Sequence, residues 1–517
     1  MAKNIVLDAL IPREDFEVKD EASGTTRNIS TIGVRDLEYN SFFFAALRKP
    51  DFQRETSEWD AKRIVSLIES FISGDLIPAV ILWRSQASYT FVIDGAHRLS
   101  ALASWVNNDF GDGDISKQFY DGVIPEEQIE ASENTRKIVR QQIGFFSDYQ
   151  LALRNPEKVE SHISEKAKSM GALAIQLQWV EGDAQKAESS FFKINQQAAS
   201  IDKTELKLLK SRRKPNGISS RAILRSGKGH KYWSSYEQEI QLEIQGIAEE
   251  INEIIFQPSL KNPIKTLDLP MGGKNFSSQG QSLILELVNK TNDVTKSIEL
   301  KDDLDGVDTI KYLKNCLKVV RRLNSIHPSS LGFHPAIYFY SKDGRHKPAS
   351  FWAAIDFLRE LEKKKKFDWF TDVRSQFEEF LLQYDYIVQQ IVRKYRSASA
   401  AYPYISNLYF TVVELLHSGF EVNFLPPEIK SLKEFSYLTL NDDSKEKITS
   451  SSFTRERKSE VFMREAIEKA VKCSICGGLL HRNSITIDHV NRKQDGGLGS
   501  VENGQLAHPY CNSTYKN

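Results

Sequence analysis

The 517-residue chain has only four cysteines, no net formal charge (69 basic residues against 69 acidic ones) and no long apolar run. Each shortage excludes something. Four cysteines cannot staple a disulfide scaffold of this length, and in a reducing compartment clustered cysteines more often hold metal. Three of them, Cys473, Cys476 and Cys511, crowd near the end, while Cys316 stands alone in YLKNCLKVV and is expected in a core. The longest apolar runs, such as Ala79 to Trp83, fall far short of a bilayer span, and MAKNIVLDALIPRED has no hydrophobic leader stretch. These features predict a cytoplasmic protein with no membrane partner. Balanced charge offers no bulk attraction to nucleic acid, so its local distribution matters. Between Asp202 and Lys231 ten Lys or Arg face two acids, whereas Asp109 to Glu130 is strongly acidic. The basic stretch reads either as a solvated helix face or as a groove in which Arg212, Arg213 and Lys214 contact phosphates.

A chain of this length exceeds one compact core. With 40% hydrophobic and 27% charged residues it is an ordinary globular composition. In TSEWDAKRIVSLIESFISGDLIP, Thr56 or Ser57 is expected to cap a helix, Ile64, Leu67, Ile68 and Phe71 recur at helical spacing, and Gly74 ends it. AVILW and YTFVI then read as a strand hairpin, followed by a helix over HRLSALASWVNN. Asp94 and Gly95 therefore lie at a strand-to-helix junction, where free backbone N–H groups favour an anion. Beyond about residue 150 long helical patterns dominate, and the stripe of Phe357, Phe377, Phe380, Tyr384 and Tyr386 is expected in their core. LNDDSKEKITSSSFTRERKSE reads as a tether to a terminal module.

That module, from about residue 455, is too small to bury an adequate core alone. Zinc supplies the staple: Cys473 and Cys476 form a CxxC knuckle, His508 and Cys511 an HxxC pair, and tetrahedral zinc accepts such a Cys3His set. Structural zinc contributes roughly 10–16 kcal/mol to folding a small domain, against about 2–5 kcal/mol for a disulfide. Between the pairs, a strand ends in Asp488 and His489, a loop carries Gly496 and Gly497, and a helix is expected from about Ser500. DHV, GG, Asn503 and HPYCN in this order resemble the HNH endonuclease family, and Asn512, where many members have histidine, is similar to the HNH domain of RNA-guided CRISPR nucleases. The resemblance implies a ββα-metal module in which Asp488 and Asn512 hold one Mg2+ or Mn2+, His489 is the general base, and Asn503 orients the loop carrying His489. His481 fits no role in the motif.

DFQRETSEWD, LIPAVILWR, FVIDGAHRLSAL and FFKINQQAASIDKTELKLL together resemble the ParB-like N-terminal domain of GmrSD-type restriction proteins and the DGQHR domains. The resemblance implies a nucleotide site at Gln53, Arg54, Asp94, Gly95, His97 and Arg98; Asn195 in FFKINQQ either supports that site or caps a turn. Ala96 stands where members usually have Gln, which weighs against nucleotide hydrolysis. Asp94 and Arg98 have a plainer reading, as a pair that fixes the strand–helix turn.

The expected architecture is α+β and multidomain: a ParB-like α/β sensor over 1–215, an α-helical domain over 216–440, and a linker with an HNH module over 441–517. Its expected function is metal-dependent DNA cleavage controlled by nucleotide or base modification, as in bacterial antiphage restriction, with DNA, modified phage DNA included, as partner. The competing reading is a non-catalytic zinc knuckle that grips DNA beside a nucleotide-binding or NTPase domain; an RNA-directed nuclease is a third.

Overall fold

The computed structural model describes residues 4–14, 28–50, 59–85, 88–120, 124, 126–198, 203–228, 231–275, 278–440 and 451–515. It divides into two compact units, Met1–Arg212 with Lys228–Tyr232, and Arg213–Gly227 with Trp233–Asn517.

The first unit is built on a six-stranded mixed sheet: β1 (Arg13–Glu14), β2 (Thr31–Ile32), β3 (Leu47–Pro50), β4 (Val80–Arg84), β5 (Thr90–Asp94) and β6 (Ile175–Val180). Their spatial order is β1-β3-β5-β4-β6-β2, and β4 and β5 form the expected antiparallel hairpin. Side-chain alternation explains its two covered faces. Val80, Leu82 and Val92 pack with α1 (Ala61–Ser73) and α2 (Ala96–Val106) in the main core. Trp83, Phe91 and Ile93 point the other way, onto Ala187, Phe191 and Leu209. The helical spacing of Ile64, Ile68 and Phe71 does bury one face of α1. Its cap is Asp60, whose carboxylate accepts from the Arg63 amide at 3.0 Å, rather than the earlier Thr56 or Ser57, which lie outside the described residues. Gly74 ends the helix in the left-handed region, φ 75°.

The second unit is mostly helical. Helices α4 (Pro348–Lys363), α5 (Phe367–Asp372), α6 (Arg374–Gln383) and α7 (Ala398–His417) share an aromatic core, and α3 (Val307–Leu323) packs beside α4 with an aliphatic face. Phe357, Phe370 and Phe377 lie 5.4–6.0 Å apart, ring to ring. Phe380 is buried with them, but Tyr384 and Tyr386, expected in the same core, are only half-buried, because the chain breaks at Tyr384 between α6 and the helix Asp385–Tyr395. Cys316 is fully buried, 3.0 Å from the Thr291 hydroxyl.

The expected tether is in part structured: residues 441–450 lie outside the described set, but α8 (Arg455–Glu468), capped by Thr454, packs on the helical body. Ser459 accepts the Ile264 amide at 3.0 Å and Met463 is buried. No helix among the described residues is long and apolar enough to cross a membrane.

Burial lowers the pKa of His346, within 2.8 Å of the Met271 carbonyl, and of His481 to about 4 each. The unfolded chain takes up these protons first, near pH 6.5, so the full stability present above that pH is lost as pH falls through 4. The expected loss is about 3 kcal/mol per histidine. Melting His346→Gln beside the wild type over this range checks it: the variant's pH dependence should be shallower, and parallel curves would refute the assignment.

Candidate active site and metal centre

The terminal module has too little apolar core to hold itself: Cys473, Leu480, Ala507 and Cys511 are the buried members of its cluster. Among the described residues, Cys473, Cys476, His508 and Cys511 form the one group with metal-ligand spacing, their ligand atoms all within 4.8 Å of one another. The CxxC knuckle folds back through the Gly477 amide, which donates to the Cys473 carbonyl. His508 turns Nδ1 toward Cys476 Sγ at 3.4 Å and Cys511 Sγ at 4.0 Å, while Nε2 is 3.0 Å from the Leu479 carbonyl. That outer contact fixes the tautomer in which Nδ1 is unprotonated, as a ligand must be. Hydrogen bonds from Cys476 and Cys511 push the Cys473 thiol pKa far down, and the same contacts raise those of its two neighbours. Three converging thiols cannot all ionise without a cation, so the donor set fits zinc.

Upstream of His508 the chain departs from the expected order. The strand Thr486–His489 is followed, after Ser500, by a short 3-10 turn over Val501–Asn503 that leads into a second strand, Gly504–Ala507.

 The helix expected from about Ser500 is therefore replaced by a hairpin: Gly504–Ala507 pairs antiparallel with Thr486–His489, in the register Gly504↔His489 and Gln505↔Asp488. The reason is tertiary, since the partner strand, and not local propensity, decides the conformation of so short a segment.

This hairpin positions the candidate catalytic groups. Alternation turns Asp488 inward, where it is buried and accepts from Gln505 Nε2 at 2.7 Å, and leaves His489 half-buried at the strand end. Asn512, in the single turn Cys511–Tyr515, donates through Nδ2 to the Thr486 hydroxyl at 3.3 Å and the Ile487 carbonyl at 3.2 Å, so it lies beside the strand that carries Asp488 and His489. Asn503 clasps the loop that follows His489. Its Oδ1 accepts from the Asn491 amide at 2.7 Å, and its Nδ2 donates to the carbonyls of Asn491 at 3.1 Å and Leu498 at 2.7 Å. Gln505 was not singled out in the sequence; its only signal there is its place two residues after Asn503.

The module is seated on the helical body through buried polar contacts. Arg374, 1% exposed, donates from Nε to Glu378 at 2.8 Å and from Nη2 to the Gly332 carbonyl at 2.8 Å, and its Nη1 is 3.3 Å from His508 Nδ1. Burial opposes the Arg374 charge, but Glu378, Tyr338 and the thiols of Cys476 and Cys511 outweigh it and raise its pKa. Glu378 accepts from the Leu479 amide at 2.8 Å and the Tyr338 hydroxyl at 3.1 Å. His481, which fits no motif role, is buried against Asn324 at 3.0 Å. Gly332 has φ 64°, and a Cβ there would lie 2.5 Å from the His508 ring, so only glycine lets the body approach this closely.

In the first unit, Asp94 ends β5 beside an irregularity in the hairpin register, and Gly95, at φ 99°, opens α2. A Cβ on Gly95 would meet Val80 at 2.8 Å. Arg98 Nη2 binds Asp94 at 2.7 Å, and Nη1 donates to the Pro78 carbonyl at 3.0 Å. The plainer reading of this pair, fixing the turn, is what the geometry displays. His97 stacks on Trp59 with ring centroids 5.9 Å apart. Gln53 and Arg54 lie outside the described residues, as does the side chain of Asn195.

Two of the three cations expected to contact phosphate, Arg212 and Lys214, have internal partners. Arg212 pairs with both Glu188 oxygens, at 2.8 and 3.3 Å, in the first unit. Lys214, in the second, donates to the Leu300 carbonyl and lies 3.9 Å from Asp302. Arg213 is half-buried, and its carbonyl accepts the Asp303 amide.

Two family models match the chain: the GmrSD restriction endonuclease N-terminal domain over residues 35–214, and the HNH endonuclease over residues 473–517. No curated protein and no solved structure gives a significant match. With the hairpin, the Cys3His cluster and these two matches in hand, the chain is a DNA-hydrolysing nuclease that joins a GmrSD-type restriction N-terminal domain to a C-terminal HNH endonuclease domain.

Proposed function

We propose that this chain cuts DNA at the hairpin of Thr486–His489 and Gly504–Ala507. His489 takes the proton from the attacking water. Asp488 and Asn512 hold one Mg2+ or Mn2+, which when bound stabilises charge on the scissile phosphate and the leaving oxygen. Asn503 fixes the loop beyond His489, and zinc on Cys473, Cys476, His508 and Cys511 holds the module's fold. The observation that carries this reading is the Asn512 amide bound to the strand that bears both Asp488 and His489. A DNA reader without catalysis would not need a carboxylate, an imidazole and an amide on one strand and the turn beside it.

In this reading the first unit is a ParB-like sensor that responds to a nucleotide or to modified bases and licenses cutting, as in cytoplasmic antiphage restriction. Support comes from the Asp94-Gly95 junction at the start of α2, whose first turn has no side-chain cap among the described residues. Arg98 would have to exchange Asp94 for the ligand, so nucleotide binding is expected to loosen that turn. Matched modified and unmodified phage DNA, incubated with the wild-type chain, Mg2+ or Mn2+, and GTP, ATP or neither, tests both parts. Cleavage that depends on modification or on nucleotide is the expected result. Cleavage indifferent to both would remove the sensor, and no cleavage of any DNA would remove the catalytic assignment.

A further inference from the structure

We infer that the four-lysine turn Lys363–Lys366 of the helical body is a phosphate-contacting surface for the DNA duplex that the terminal module cuts; this rests on the nuclease reading above. The turn closes α4 and runs straight into α5. Its first three lysines are exposed, the side chains of Lys363 and Lys364 by 78% and 50%. Lys365 sits at φ 54°, a left-handed conformation uncommon outside glycine, which turns the run sharply away from the helix axis.

The neighbourhood leaves this charge largely uncancelled. Glu360 is shared by Lys363 at 3.7 Å and Lys364 at 3.6 Å, and Lys365 has no carboxylate partner among the described residues. Lys364 and Lys366 lie over aromatic faces, Phe410 at 4.7 Å and Trp369 at 4.2 Å, which hold the amines without neutralising them. A helix C-terminus is complemented by one or two cations within its last turn, so the dipole accounts for part of the run only.

Position supplies the partner. The element that follows, α5, clasps the turn carrying Asn512: Asp368 accepts from the Tyr510 hydroxyl at 2.8 Å, Asp372 from the Tyr515 hydroxyl at 2.5 Å, and Phe367 packs on Tyr510 at 5.6 Å. Both carboxylates are thereby turned toward the terminal turn, and neither forms an ion pair with the lysine run among the described residues. The lysines are one short helix away from the groups that would hold the scissile phosphate, where a polyanion must lie during cutting. The stretch 203–231, whose composition advertised such a surface, spends Arg212 and Lys214 on internal partners.

The test uses the full chain with His489→Ala, so that DNA is bound and not cut, and adds Lys363→Gln, Lys364→Gln and Lys365→Gln together. Anisotropy of a labelled DNA duplex is followed against salt concentration. Loss of three phosphate contacts is expected to flatten the slope of log affinity against log salt by about 2–3. Neutralising Lys430 and Lys433 instead should leave the slope as in the parent. Equal slopes and affinities in triple variant and parent would overturn the inference, as would a parent with no affinity for duplex. The wild type's ability to cut DNA is measured separately, so a failed surface and a failed nuclease reading give different results.

Discussion

Replacing His489 by alanine is expected to slow DNA cleavage by about 10²–10⁴-fold, the range for losing a positioned general base. The imidazole is half-buried at the end of Thr486–His489, and its removal leaves the backbone pairing with Gly504 and the bonds of Asn503 to the following loop in place. Folding and zinc content should therefore be those of the wild type, which separates this variant from one that merely unfolds. Nicking of plasmid in Mg2+ or Mn2+, beside a melting curve and a zinc assay, reads all three quantities. Equal nicking by both proteins would sink the assignment.

Arg374→Met is expected to have the largest effect on stability, about 3–5 kcal/mol, because it leaves the buried Glu378 carboxylate without its cation. The loss reaches the metal, since Glu378 also holds the Leu479 amide, and the Leu479 carbonyl in turn orients His508. Zinc should leave the variant faster when challenged with a chelator. Replacing Glu378 by leucine in the same chain removes the orphaned carboxylate and should recover part of the stability, while zinc loss stays fast. Denaturant titration and chelator kinetics on the two variants check this. If the single variant keeps both wild-type stability and wild-type zinc retention, the buried pair does not hold the metal centre.

Much of the metal centre was legible because its information is local. CxxC and HxxC fix ligand spacing within single turns, and Asp488 and His489 end a strand whose Thr486 and Ile487 already suit an extended chain. The hairpin AVILW and YTFVI was legible for the same reason. What escaped the sequence depends on partners outside the local segment, which for the seat of the terminal module lie more than a hundred residues away. Arg374, Glu378 and Asn324 look like ordinary surface residues of amphipathic helices until the module covers them. The strand Gly504–Ala507 reads as the start of a helix because its pairing lies across the loop. Charge density at 203–231 says nothing about Glu188 or the Leu300 carbonyl, which absorb two of those cations.

The seat formed by Gly332, Arg374 and Glu378 also bears on how this architecture can be taken apart. A cut at the obvious splice point, 441–450, would carry away the thiols and the hairpin and leave behind the side chains that close over them. The exchangeable part is a discontinuous one, the last 45 residues together with the stretch around Asn324 to Glu378, and a recipient scaffold for this nuclease head would need both halves of that lock.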